Sequence, residues 1–205
     1  MSFDLNNKPL DERKNHLVKV ISSDRFLKMR GLGNDVPFFI CAFKPEEVDA
    51  MEITRHSLVR QLEKLNVKVQ EINIYDHCIE ILKQKELWDK IIEVEPSLPK
   101  SELKKLLQNV LDPETHLTPK IAESTDESEY DVLFLCGIGE VYPYIRSHNV
   151  LNNLQSRIPQ KPVVFFFPGA YVYSQENGMS LDLFGRLRDD KYYRAFNIFE
   201  FEIEP

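Results

Sequence analysis

Glycine is scarce in this chain, with seven residues in 205. Flexible glycine-rich linkers are therefore excluded, and no internal repeat or long low-complexity tract replaces them. Cysteine is nearly as rare. Cys41, Cys78 and Cys136 lie far apart and form no CxxC pair. An odd, scattered set excludes a disulfide scaffold and fits a reducing, cytoplasmic setting. Each thiol lies in or beside an apolar run and is expected to be buried as a small hydrophobe. A basic excess is missing too: 26 Lys and Arg against 33 Asp and Glu leave a net charge of -7. That weakens the case for general nucleic-acid binding, which usually shows as positive charge. A local exception is residues 1–30, where seven basic side chains face four acidic ones. Long hydrophobic runs are absent. The longest, such as Val163 to Pro168, fall far short of the ~20 residues that a membrane helix needs. The opening MSFDLNNKPLDERKN has no apolar core of a secretory leader, so neither membrane nor export is expected.

What is present builds an ordinary core. Hydrophobic residues make up 42% of the chain, with 13 Phe and 8 Tyr. At this length the chain reads as a single α/β domain over 1–205, with 1–35 as an N-terminal helical extension. Within that extension Leu17, Val20 and Ile21 share one face, and Asp24 can cap a short helix ending at Gly31. Val36 to Phe43 is the first strand, apolar throughout, as befits a strand covered on both faces. Residues 46–65 read as a helix with Val48, Met51, Leu58, Leu62 and Leu65 on one stripe. Val67 to Tyr75 is the second strand. Its alternation slips by one residue after Val69, the mark of a bulge or a lightly covered edge. Asp76 can cap the next helix, whose apolar spacing runs from Cys78 to Ile92. Leu103 to Leu111 is a further short helix, stopped by Asp112-Pro113. Residues 112–130 are polar and read as a solvated loop, with an acidic run at Glu123, Asp126, Glu127, Glu129 and Asp131 that could alternatively meet a basic partner. Val132 to Cys136 is the third strand, Tyr142 to Ile158 a helix, and Val163 to Phe167 the fourth strand, ended by Pro168-Gly169. Tyr192 to Ile203, with alternating Phe196, Ile198, Phe201 and Ile203, is the fifth. Strands alternating with amphipathic helices imply a mostly parallel five-stranded sheet with helices on both faces, Rossmann-like or P-loop-like in topology.

Ligands in such folds sit beyond the carboxyl ends of the strands. The first of these ends excludes a P-loop. It reads Phe43-Lys44-Pro45-Glu46-Glu47, with no glycine and two acids where phosphate would have to sit. Gly137-Ile138-Gly139 is half of a dinucleotide fingerprint, but Tyr142 takes the third glycine position and Glu140 stands in the phosphate's path. A tight strand-to-helix turn is the simpler account. The five histidines show no metal-ligand spacing. Asp76-His77, at a strand end, could serve as a general base, against the plainer alternative of a surface or core histidine. No G-x-S-x-G elbow is present. Asp189-Asp190 pairs two carboxylates in a turn, where they ordinarily stay in water. No catalytic residue, cofactor or metal site is expected.

The C-terminal segment carries more. Asp190, Tyr192, Tyr193, Arg194 and Phe196 gather aromatics and an arginine, the residue types that dominate interaction hot spots. They form the candidate interface. The competing accounts are a core strand with Arg194 paired to Asp190, and stacking on nucleic-acid bases.

Three stretches, Phe166-Phe167-Pro168-Gly169-Ala170-Tyr171, Ser180 to Leu187, and Asp190 to Phe196, together with the strands Pro37 to Phe43 and Val132 to Gly139, resemble the BrxB family of bacteriophage exclusion (BREX) defence systems. The resemblance implies an antiviral, non-enzymatic component that acts with larger subunits. PglZ is the first candidate partner, and BrxC or PglX are others. It supplies no catalytic residue. Two further accounts stay open. One is a degenerate nucleotide-fold protein binding nucleotide near Gly137 and Gly139, or nucleic acid through Arg25, Lys28 and Arg30. The other is a hydrolase using Asp76 and His77.

Overall fold

A computed structural model of the chain describes residues 8–30, 37–126, 129–158, 161–174, 178–189 and 195–203. Its helices are α1 Leu10–Ile21, α2 Asp24–Leu27, α3 Val48–Lys64, α4 Ile74–Gln84, α5 Trp88–Val94, α6 Lys100–Val110, α7 Thr118–Asp126 and α8 Ser147–Leu154. Its strands are β1 Phe38–Phe43, β2 Val69–Asn73, β3 Val132–Cys136, β4 Val163–Ser174, β5 Gly178–Leu183, β6 Leu187–Asp189 and β7 Phe196–Asn197. By their contacts the residues divide into two compact units. The first comprises Met1–Glu71, Glu129–Leu135 and Gln160–Pro205, and the second Ile72–Ser128 and Cys136–Pro159.

The first unit is built on the sheet, whose strand order is β2-β3-β4-β1-β7. β1 runs parallel to β4 and to β7, and β3 runs parallel to β4. This is the mostly parallel α/β sheet that alternating apolar strands imply, and α1 supplies the N-terminal helix. All six residues of β1 are buried. Because side chains alternate between faces, both faces of the sheet's centre are covered. Phe39, Phe134, Phe165 and Phe167 are among the largest fully buried side chains, each stabilising the fold by roughly 2 to 3 kcal/mol of apolar burial. β2 lies at one end of the order, and four of its five residues are only half-buried. The slip in its alternation therefore marks a lightly covered edge. It also has a second cause, since Ile74 already belongs to α4.

Several boundaries depart from the sequence pattern. Ser23, not Asp24, caps α2, its side chain accepting from the Phe26 amide. Pro168-Gly169 does not end the fourth strand. β4 runs on to Ser174 and pairs antiparallel with β5, which pairs with β6 in turn. Pro168 is tolerated because its carbonyl still accepts, from the Phe184 amide at 2.9 Å. Gly169 is required because a Cβ there would stand 2.2 Å from the Asp182 carbonyl oxygen. Phe184 and Gly185, both left-handed at φ 55° and 66°, turn the chain between β5 and β6. The fifth parallel strand shrinks to two residues. After Phe196–Asn197 the chain enters a 3-10 turn at Ile198–Glu200, capped by the Asn197 side chain. The alternation from Phe196 to Ile203 thus served two kinds of structure.

The second unit is helical. The Cys78-to-Ile92 spacing breaks into α4 and α5 at Glu86, which is left-handed at φ 56°. Asn73, not Asp76, caps α4: its Oδ1 accepts from the Tyr75 amide at 2.9 Å. Residues 113–126, expected to be a solvated loop, are a π-turn and α7. Their buried stripe is Leu117, Ile121 and Thr125, with Thr118 beside it. Two of these four residues are threonine, so the stripe does not read as apolar. Each hydroxyl is satisfied by a backbone carbonyl, Thr118 to Pro113 and Thr125 to Ala122, both at 2.7 Å. The helix expected from Tyr142 begins only at Ser147, after a run of turns.

Candidate functional site

The strands' carboxyl ends are occupied by the protein's own side chains. After β1, the Glu47 carboxylate accepts from the Lys44 amide at 3.2 Å and from Arg13 Nη2 at 2.6 Å. Arg13 sits on the apolar stripe of α1 with Leu17 and Val20 and has no exposed surface. Burial opposes ionisation of Glu47, but the Arg13 hydrogen bond and charge outweigh it and hold the carboxyl below its usual range. Among the described residues, Arg13 Nε and Nη1 have no hydrogen-bond partner. Sequence reasoning passed over this pair. The signal was an arginine spaced four residues before Leu17 on an otherwise apolar face. A second arginine follows the same rule: Arg55, on the buried stripe of α3, is paired with Glu71 of β2.

Gly137 has φ +81°, and a Cβ there would fall 2.1 Å from Asn73 Oδ1. The space that a pyrophosphate would need is filled by the side chain capping α4. Gly139 and the exposed Glu140 lie in the turn that follows. Asp76 is exposed. His77 turns to Ser124 instead, with Nε2 3.2 Å from Ser124 Oγ. Ser124 gives its only proton to the Lys120 carbonyl at 3.0 Å. The direction of the His77–Ser124 bond is set by the ring's tautomer, and the Asn73 backbone also bonds the ring. Burial, the largest influence, lowers the His77 pKa. Burial pushes the Cys41 and Cys78 thiols up to about 12, far from a reactive thiolate.

The acidic run is likewise divided. Glu129 pairs with Lys68 at 2.7 Å, Asp131 accepts from the Lys68 amide at 2.8 Å, and Glu123 reaches Lys120 at 3.4 Å. The Asp126 side chain and Glu127 lie outside the described residues.

Two other sequence features do converge, at the β7 edge of the sheet. Phe196 pairs with Phe39 of β1, ring centroids 5.8 Å apart. Phe26, Phe39 and Phe201 complete an aromatic cluster at 4.5 to 5.5 Å. Against it opens a cleft of about 250 Å³, lined by Arg25, Arg30, Phe196, Asn197, Glu200 and Phe201, with Glu202 beside them. The Arg25 guanidinium lies over the Phe201 ring at 5.7 Å. Among the described residues, β7 pairs only with β1. The cleft thus combines stacked aromatics, guanidinium groups and a strand edge. It is not a phosphate stripe. Glu200 and Glu202 share it with the two arginines, and Lys28 is turned to Asp24 at 2.5 Å. Of the candidate interface, only Phe196 is described. Asp190, Tyr192, Tyr193 and Arg194 lie outside the described residues, while the Ala195 carbonyl just beyond them accepts from the Tyr171 hydroxyl at 2.6 Å.

Among the described residues, no group of His, Cys, Asp and Glu could hold a metal ion, and no helix is long and apolar enough to cross a membrane. No solved structure matches the chain significantly. The family model described as "BREX protein BrxB" matches residues 70–198. A "BREX protein BrxB" of Bacillus cereus (strain H3081.97) is 31% identical over 196 residues, covering 93% of this chain and 98% of the relative. Another, of Escherichia coli O9:H4 (strain HS), is 29% identical over 190 residues, covering 92% of this chain and 91% of the relative. With a match over more than half its length and a relative aligned nearly end to end, the chain belongs to the BrxB family of BREX proteins.

Proposed function

We propose that this protein is a non-enzymatic assembly subunit of a BREX anti-phage system. In this reading it docks on a larger BREX protein, PglZ first, with BrxC and PglX as the other candidates, and works in the cytoplasm. The β7-edge cleft carries the reading. Among the described residues the outer edge of β7 is unpaired, and such an edge offers backbone hydrogen bonds to an added segment; the Arg25, Phe196 and Phe201 side chains are hot-spot types. The same edge leads back along the chain to Tyr192, Tyr193 and Arg194, which extend the proposed interface. The balanced charge of the cleft favours a protein segment over a nucleic-acid backbone, which would meet Glu200 and Glu202.

The test is co-purification of the full chain with PglZ, BrxC and PglX separately, followed by size exclusion. A stoichiometric complex with one of them is expected. Arg30→Glu, at an exposed position, and the double change Tyr193→Ala/Arg194→Ala should disrupt it without lowering the melting temperature. A wild-type complex that survives both variants would move the interface elsewhere. No complex with any of the three would overturn the reading.

A further inference from the structure

The second unit holds a feature that the β7 edge does not use. α4 presents Tyr75, Cys78, Ile79 and Leu82, spaced at i, i+3, i+4 and i+7, to a cavity of about 410 Å³. α6 faces the same space with Leu103 and Leu107, and Leu111 follows one turn on. Trp88 and Ile91 of α5, with Pro143 and Tyr144, close the rest. Two helical stripes therefore look onto space where a third would normally pack. The cover is thinnest on α6, where Leu103, Leu106, Leu107 and Val110 lie on one side, all half-buried and none fully buried. Nearby on α5, Ile92 is 49% exposed. An amphipathic helix left open in this way is short of a partner.

The rim says what kind of partner. Lys100 and Lys104, one turn apart on α6, line the groove, and neither has a carboxylate partner among the described residues. Glu95 is the one acid in the lining. A positive rim in a chain of net charge -7 is a local inversion of sign, and it complements an acidic occupant. The groove follows the 11 residues of α6, roughly 16 Å at 1.5 Å per residue, the length of a three-turn helix. We infer that this groove receives an acidic amphipathic helix of a partner protein. Leucine-type anchors at i, i+3/i+4 and i+7 lie on the apolar floor, and Glu or Asp side chains reach Lys100 and Lys104.

The chain carries a single tryptophan, and it lines this groove, so its fluorescence reports occupancy. The probe is a synthetic, tryptophan-free helical peptide with leucines at those spacings and glutamates elsewhere. A twin carrying lysines in place of the glutamates is the control. The full chain is titrated with each. The acidic peptide should shift Trp88 emission saturably and bind about tenfold tighter than its twin, as two surface ion pairs allow. Lys100→Glu/Lys104→Glu should reverse that preference. Leu107→Asp should abolish the response to both, with circular dichroism checking that the fold is kept. Equal binding of the two peptides, or no Trp88 response to either, overturns the proposal. So does saturable binding of laurate without peptide binding, which would make the groove a site for a small apolar anion. A concentration-dependent Trp88 shift without any peptide would assign the groove to a second copy of the chain and overturn it likewise.

Discussion

Gly137→Ala separates a structural glycine from a nucleotide-binding one. The added Cβ would meet Asn73 Oδ1 at 2.1 Å and the Tyr75 amide nitrogen at 3.1 Å. Two costs follow. The left-handed φ of +81° costs an alanine about 1 to 2 kcal/mol. Displacing the Asn73 side chain removes the cap of α4, worth about 1 kcal/mol. The sum, about 2 to 3 kcal/mol, should lower the melting temperature by roughly 5 to 10 °C in a chain of this size. Urea denaturation followed by circular dichroism measures it. The pairing with Asn73 can be isolated by a double-mutant cycle. Asn73→Ala alone loses the cap. In that background Gly137→Ala should cost about 1 kcal/mol less than in the wild type, because the clash has gone and only the backbone strain remains. Two results would refute the reasoning: a Gly137→Ala protein as stable as wild type, or costs that simply add. If the stability cost were absent and a nucleotide-binding signal disappeared, the glycine would belong to a ligand site.

Other outcomes follow from the buried groups. Glu47→Ala strands Arg13 in the interior and should cost about 2 to 3 kcal/mol, the value for a buried pair discounted for the partial exposure of Glu47, whereas Arg13→Met/Glu47→Ala should recover most of it in the same denaturation assay. The Glu47 pKa is depressed from 4.5 in the folded state, so the pair's contribution is complete above that pH and disappears as pH falls through the lower folded value. Stability measured from pH 5 downward should therefore fall more steeply in wild type than in Arg13→Met/Glu47→Ala. Buried Cys41 and Cys78 should resist a thiol reagent such as DTNB in the native protein and react only on unfolding, and rapid native labelling of either would contradict their raised pKa. Tyr171→Phe removes the donor to the Ala195 carbonyl and should cost about 1 kcal/mol, read as a shift in urea midpoint.

Much of the architecture was already legible in the amino-acid order. β1, β3 and the first half of β4 are unbroken apolar runs, and a strand buried on both faces has no other way to be written. The same is true of α3, whose stripe recurs at helical spacing. The absent P-loop is a matter of local chemistry, and Glu46-Glu47 settles it without any fold. The family, too, was readable from contiguous signatures. Other features depend on what a residue meets in space. Threonines bury on α7 only because carbonyls three and five residues earlier take their protons. Gly137 needs to be glycine because of Asn73, 64 positions earlier. The alternation from Phe196 to Ile203 serves two residues of strand and then a 3-10 turn, since Asn197 caps the turn at the point where pairing with β1 ends. Arg25 and Phe201 come together only at the sheet's edge. Periodicity specifies which face of an element is apolar; where that face ends up, and whether anything covers it, is decided by the packing of distant segments.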